Sequence, residues 1–427
     1  MTATLANQMT QGLKAYFRFI ANHPSLLIFG MAMTFCSSFG QTFFISLFNE
    51  PLRAAFDLSH GEFGAIYLAA TCLSAGTIIW AGLKVDDVEL RRYTTIVLLG
   101  YALAAILMAT AMHPIMLFIA LYGLRLTGQG LFGHIATVTM ARYLGNNRGK
   151  GLSVTALGMP LGEAFWPPII TLLLLTVGVP WQASWFGVAS ILLLIVLPAV
   201  WLLLRGQDER DAALAAERQT QAGSGRRLKQ SELFRDGRFI GIMPYILAPP
   251  FILTGVFFHQ QALATDRGWP LAEMAAFFSL YALGSLTASL SIGPIVDRLS
   301  ATRLVPVTCI PLAMGMVIFA STDAKLGGML LFLLAGLSTG IAIPILNAMW
   351  AEVYGVADLG AVRSVVSALM VLATAIAPPV FGVALDYGHN GSTIITGALI
   401  YLATAYLLML SQYPKLQSTA RAKAAAE

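Results

Sequence analysis

Between Ser25 and Gln412 the chain rarely leaves one helix-length apolar stretch without starting another. The polar positions fall mostly between these stretches rather than alternating within them. In lipid a backbone must satisfy its own hydrogen bonds, so runs of this length imply membrane-spanning helices. The pattern predicts twelve spans, at 26–48, 61–81, 93–112, 115–140, 151–176, 182–204, 239–263, 271–292, 303–321, 326–349, 362–384 and 392–411. At about 20 residues each they use about 240 residues and leave the rest for loops and tails.

One segment differs in kind. Residues 205–238 carry eight arginines and lysines with six acids and an Ala-Gly-Ser-Gly patch at 222–225. It reads as a hydrophilic linker with an amphipathic helical part near Glu209–Gln219. The predicted organisation is a tail at 1–25, a six-helix bundle at 26–204, the linker at 205–238, a second six-helix bundle at 239–411 and a tail at 412–427. Counting Lys and Arg on alternate sides of the twelve spans gives twenty-two on the side of the termini and linker and three on the other, with Arg125 inside a span. Basic residues collect on the cytoplasmic side, so both termini and the linker are expected there, in a multi-pass protein of the cell inner membrane. An error of one helix would move every later loop to the opposite side and destroy the asymmetry.

Composition agrees with this picture. Apolar residues make up 57 % and charged residues 11 %, against roughly 45–50 % and about 25 % in soluble domains. The net charge of +5 follows from insertion topology and does not call for nucleic acid. Cys36, Cys72 and Cys309 all lie in predicted spans, an odd number that argues against a disulfide framework. Lys14 and Arg18 precede a first apolar run too long for a signal-peptide core, so it reads as an uncleaved first span.

Two loops match in position and residues. Gly82-Leu-Lys-Val-Asp86-Asp87-Val-Glu-Leu-Arg91-Arg92 follows span 2, and Gly293-Pro-Ile-Val-Asp297-Arg298 follows span 8, with Arg303 beyond it. Matching landmarks in each set of six imply an internal duplication. These loops resemble the G-x-x-x-D-R-x-G-R-R signature of the major facilitator superfamily. The second copy keeps Gly293, Asp297 and Arg298; the first has Asp87 for the first arginine, and its Arg91–Arg92 pair falls one residue late. The resemblance implies an all-α membrane fold of two pseudo-symmetric six-helix bundles, transport by alternating access, and a gating role for Asp86, Arg91, Arg92, Asp297 and Arg298. The Arg125-Leu-Thr-Gly-Gln129-Gly130 stretch resembles the family's R-x-x-Q-G signature with one extra residue. The run from Tyr143 through Arg148 to Gly158 is similar to the start of span 5 in monocarboxylate-transporter-like members, and Gly158–Glu163 resembles the span-5 motif of drug–proton antiporters. Small residues there also let two helices approach closely.

An ionisable group within the bilayer is costly and ordinarily faces a cavity or a partner. Arg125 in span 4 and Glu163 in span 5 are the clear cases, at similar depth. The expectation is that both face a central cavity, Arg125 binding an anionic substrate or Glu163 itself and Glu163 carrying a coupled proton. The alternative is a structural ion pair. Gln129 lies one turn from Arg125 on the same face. By analogy with the family, spans 1, 4, 7 and 10 line the cavity, which adds Gln41, His259 and Asn347 as substrate-binding candidates. Each could equally be an interhelical hydrogen bond, and His134 reads as a structural hydrogen-bonded group. Trp166, Trp181 and Trp185 read as interface anchors near outer helix ends.

Gly145–Gly151 has the wrong spacing for a phosphate loop, and no metal-ligand cluster or hydrolase dyad is visible. The reading is therefore a secondary transporter without catalytic residues or cofactors, a monomer in the lipid bilayer. The leading expectation is proton-coupled uptake of a small organic anion such as a monocarboxylate. The alternatives are proton-coupled efflux of drugs or amphiphilic metabolites, and a non-transporting receptor or assembly factor on the same scaffold.

Overall fold

The computed structural model describes residues 18–144, 147–206, 230–355 and 358–424. The predicted helix at Glu209–Gln219 lies outside them, as do the side chains of Asp86, Asp87, Asp297 and Arg298. Among the described residues eleven helices are long and apolar enough to cross a membrane, and a bent pair, taken as one span, makes a twelfth. The pair, α1, joins Pro24–Gly40 to Thr42–Phe56 at 45°. The others are α2 (His60–Asp87), α3 (Leu90–Ala109), α4 (Pro114–Tyr143), α5 (Arg148–Val177), α6 (Trp181–Leu203), α7 (Gly237–Phe258), α8 (Leu271–Leu299), α9 (Ala301–Ser321), α10 (Lys325–Tyr354), α11 (Leu359–Asp386) and α12 (Gly391–Ala424). Twelve crossings return the chain to the side on which it starts, here termed the near side.

Local chemistry sets the ends. Ser59 caps α2, its hydroxyl accepting from the Glu62 amide while the Glu62 carboxylate takes the Ser59 amide (2.8 Å). Pro114 opens α4, where its missing N–H costs nothing. Gly178, at φ 73°, supplies the left-handed residue that ends α5. Past its predicted end at 411, α12 continues to Ala424, because Leu416 still finds a buried place on the core and the Ala-rich end favours helix.

The two halves meet along two helix pairs. Helix α2 lies on α11, and α5 on α8. A shift of six spans exchanges these pairs, as an internal duplication requires. The α2–α11 approach is close because glycines stand at the contact: a methyl group on Gly64 would sit 2.6 Å from Pro379, and one on Gly382 would be 2.6 Å from the His60 carbonyl carbon. Gly158 and Gly162 serve α5 in the same way. Both press on α1, beside Thr34 and Ser38, and Thr34 donates to the Thr155 carbonyl (2.6 Å).

Two expectations from the sequence need correction. Trp166 and Trp185 are not interface anchors. Both are buried in the first half, where Trp185 packs on Phe44 (5.5 Å) and Phe48 (5.0 Å) and Trp166 on Phe39 (4.7 Å). A kinked α1 presents more surface than a straight helix can cover, and large rings fill it. The predicted seventh span, 239–263, is likewise two pieces. It breaks at His259 and resumes as a short helix, Gln260–Asp266.

Candidate transport cavity

The discontinuity in α1 organises the site. After Cys36 the chain tightens into a single 3-10 turn, Ser37–Gly40, and Gln41 takes an extended conformation (φ −85°, ψ 155°) before the helix resumes. Such a break frees backbone carbonyls that lipid cannot satisfy. Arg125 supplies the donor. Its Nη1 donates to the Gly40 carbonyl (3.1 Å) and its Nε to Thr71 Oγ1 (3.2 Å), and the guanidinium lies over the Tyr67 ring (4.9 Å). Helix α4 winds into a π-helical stretch from Arg125 to Phe132, a local adjustment common at functional sites. Only a glycine fits at position 40, where a Cβ would lie 2.8 Å from the Gln129 amide nitrogen.

Arg125 is thus fully buried inside the first half. It does not line the cavity, and among the described residues it forms no salt bridge with Glu163. The sequence places the two at one depth but does not reveal the break in α1, whose carbonyl claims the arginine.

The cavity lies between the halves and has a volume of about 260 Å³. The first half contributes Gln41 and Thr42 from α1, Gln129 from α4 and Glu163 from α5. The second contributes Tyr245 and Thr254 from α7, Tyr281 from α8, Thr308 from α9, Thr339 from α10 and Thr374 from α11, set among prolines and aliphatic side chains. The polar side chains of this second wall are partly held in place. Tyr245 Oη donates to the Val305 carbonyl (3.0 Å) and contacts Thr308 Oγ1 (2.9 Å), while Tyr281 Oη donates to Thr339 Oγ1 (3.2 Å). Glu163 has no hydrogen-bond partner among the described residues and is the only charged side chain among those lining the cavity.

Of the sequence candidates, Gln41, Gln129 and Glu163 therefore meet in one cavity. Asn347 is half-buried on α10 and not part of the lining. His259 is elsewhere, 1 % exposed at the α7 break on the far side, where Nε2 donates to the Pro378 carbonyl (2.8 Å). His134 is bonded to the Gly82 carbonyl (3.0 Å), a structural group. Among the expected gating residues, Arg91 pairs with Glu89 (3.4 Å) and lies over Trp201 (4.8 Å), and Arg92 is exposed. The side chains of Asp86, Asp297 and Arg298 lie outside the described residues. The sequence does not point to Tyr281, Thr339 or Tyr245, since a lone Tyr or Thr in an apolar helix gives no signal of facing a cavity.

Toward the far side the cavity is covered. Phe43 meets Phe278 (5.9 Å), and Tyr67 and Phe63 meet Phe258 (4.8 and 5.2 Å), each pair reaching across the halves. Beyond these rings, Asn49 Nδ2 donates to the Phe258 carbonyl (2.8 Å) and Gln260 Nε2 to Ser46 Oγ (2.8 Å), with a further bond from Gln261 to Glu50. The Asp386 carboxylate accepts the amides of His60 (3.0 Å) and Gly61 (2.7 Å) at the start of α2. The conformation is closed on the far side.

The sequence profile described as Major Facilitator Superfamily matches residues 30–362 and 251–426. Solved structures share the fold. A nucleoside transporter, NupG, superposes with a TM-score of 0.70 at 13 % identity, covering 92 % of this chain and 98 % of its own. A D-xylose-proton symporter gives 0.67 at 15 %, covering 90 % and 96 %. A bacterial homologue of the human lysosomal transporter Spinster, in an inward-facing and occupied conformation, gives 0.65 at 13 %, covering 95 % and 97 %. No curated protein matches the chain. With its twelve spans, two halves and a cavity between them, this chain belongs to the major facilitator superfamily and is a transporter rather than an enzyme.

Proposed function

We propose that this protein is a proton-coupled secondary transporter whose cargo is a small neutral or cationic organic solute. The observation that carries the reading is the charge of the cavity: among the described residues that line it there is a single carboxylate, Glu163, and no Lys, Arg or His. A cation competes with a proton for that carboxylate, which gives exchange; a neutral cargo that accepts a hydrogen bond from the protonated acid gives co-transport. Gln41, Gln129, Thr254, Thr339 and Tyr281 supply hydrogen bonds to the cargo, and the volume admits only a small molecule. Two of the structural neighbours are named for nucleosides and D-xylose, both neutral and polar. The halves rock about the cavity as a monomer in the inner membrane, with the near side, rich in Lys and Arg, in the cytoplasm.

A second reading, uptake of a small organic anion, keeps one observation in its favour. Nη2 of Arg125 is buried without a hydrogen-bond partner among the described residues, so an anion reaching the α1 break would find one donor there.

The test is transport in proteoliposomes with an imposed pH gradient, scanned over labelled amines, neutral sugars and nucleosides, and carboxylates. Glu163→Gln should retain cargo exchange at equal pH and lose gradient-driven accumulation by at least about tenfold. Undiminished accumulation by this variant would remove the proton-coupling role, and transport confined to carboxylates would favour the second reading.

A further inference from the structure

The far-side seam holds two histidines that the central cavity does not use. His60 opens α2 in the first half, and His259 sits at the α7 break in the second. Their ring centroids are 5.6 Å apart across the seam. The Pro378 carbonyl can only accept, so the His259 bond to it fixes the proton on Nε2 and leaves Nδ1 as the free nitrogen. Among the described residues that Nδ1 is buried without a partner, and so is Nδ1 of His60. Both rings border an outward-lying pocket of about 590 Å³ between the halves.

We propose that His60 and His259 form a second proton-binding site, distinct from Glu163, which governs closure of the far side. In the closed conformation two imidazoles face one another with their free nitrogens dry. Charging either one places an ion where no acceptor receives the new N–H, a costly arrangement in a buried site. Charging both places like charges across the seam. The surrounding charges do not cancel this. From α1 come Arg53 and Glu50, from α11 Asp386, and from the short helix Asp266; Asp57 lies further round the pocket. Asp386 already spends its oxygens on the His60 and Gly61 amides, Glu50 is bonded to Gln261, and Arg53 adds a positive charge to the same pocket. When the halves part, water reaches both rings and either can take a proton at its ordinary affinity. Protons therefore bind the far-side-open form in preference to the closed one, and acid on the far side shifts the population toward opening. Cargo and coupling proton then find the cavity accessible from the acidic compartment.

The inference rests on alternating access but not on Glu163 as the coupling group, and the experiment separates the two. Nitroxide labels at Ala54→Cys and Thr265→Cys, one on each wall of the pocket, report the far-side distance in the full chain in nanodiscs, with Cys36, Cys72 and Cys309 replaced. The long-distance population should rise roughly tenfold over about one pH unit near the ordinary histidine range, around pH 6.5. The same rise should persist with Glu163→Gln, which removes the cavity carboxylate. It should flatten in His60→Gln with His259→Gln, where the carboxamide introduced on α7 keeps a donor for the Pro378 carbonyl. A distance in the unsubstituted pair of histidines that does not change between about pH 8 and pH 5 overturns the proposal without any histidine variant. So does a double variant that keeps the original profile, or a response that disappears with Glu163→Gln alone.

Discussion

Arg125 shows how the sequence can reveal the cost of a side chain without revealing the groups that meet it. An arginine in an apolar helix demands compensation, and the sequence offers Glu163 as the nearest opposite charge at matching depth. The compensation is instead a carbonyl, a hydroxyl and an aromatic face, all from α1 and α2. The arginine is thereby a positioning residue, holding open the break that puts Gln41 into the cavity. Asp236 is a simpler case, on the near side ahead of α7. Burial pushes its carboxyl up, but hydrogen bonds from the Arg238 side chain, the Tyr354 hydroxyl and the Arg238 amide together outweigh this and hold it below the usual carboxylate range. A carboxyl depressed by folding contributes stability above its unfolded value, and the contribution fades as pH falls through the depressed folded value. Asp236→Asn should therefore lower the melting temperature at neutral pH. The gap from the unsubstituted protein should close below about pH 4, the ordinary range for an aspartate. A gap of equal size at both extremes would show that the carboxylate's charge is not what ties α7 to the end of α10.

At the scale of the helix, glycines decide how the halves close. Gly64 of α2 meets the backbone of Pro378 and Pro379 on α11, whereas Gly76 on the same helix has nothing within 4 Å. Overpacking a tight contact costs about 1–3 kcal/mol, and here only the far-side-closed conformation feels it. Gly64→Val should reduce transport by roughly 5- to 150-fold, with little change in the melting temperature, while Gly76→Val should transport normally. Equal rates in both variants would mean that α2 and α11 do not close on one another during the cycle. The helices themselves were legible because each is a long apolar run. The breaks were not. Ser37–Gln41 carries no proline, and its single glycine looks like any other small residue in a membrane helix. The break exists because Arg125 and the π-helical turn of α4 stabilise it, a tertiary cause that periodicity along α1 does not record. For the same reason Gln41, Gln129 and Glu163 could be foreseen as cavity residues from polarity alone, whereas His259, equally polar, was carried to the seam by the break at the end of α7.

For the whole molecule, the duplication visible in the Gly82 and Gly293 loops has a counterpart that those loops do not reveal. On the far side α1 resumes after its break as Thr42–Phe56 and α7 is followed by the short helix Gln260–Asp266, and each piece sends a side chain across to the other half. Asn49 reaches the Phe258 carbonyl and Gln260 reaches Ser46 Oγ, both at 2.8 Å. Two similar bonds in opposite directions are what a twofold-related pair of halves would make, and they exist only when the far side is closed. A hydrogen bond of this kind contributes about 0.5–1.5 kcal/mol net. Asn49→Ala and Gln260→Ala should each raise the far-side-open population by about two- to thirteenfold, read by the same distance labels at Ala54 and Thr265. The pseudo-symmetry makes a stronger demand, that the two effects have the same sign and similar size, and that the double variant opens further than either alone. An opening caused by Asn49→Ala with none from Gln260→Ala would place the closure in one half, and the seam would then be a latch on a single bundle rather than a joint shared by two related ones.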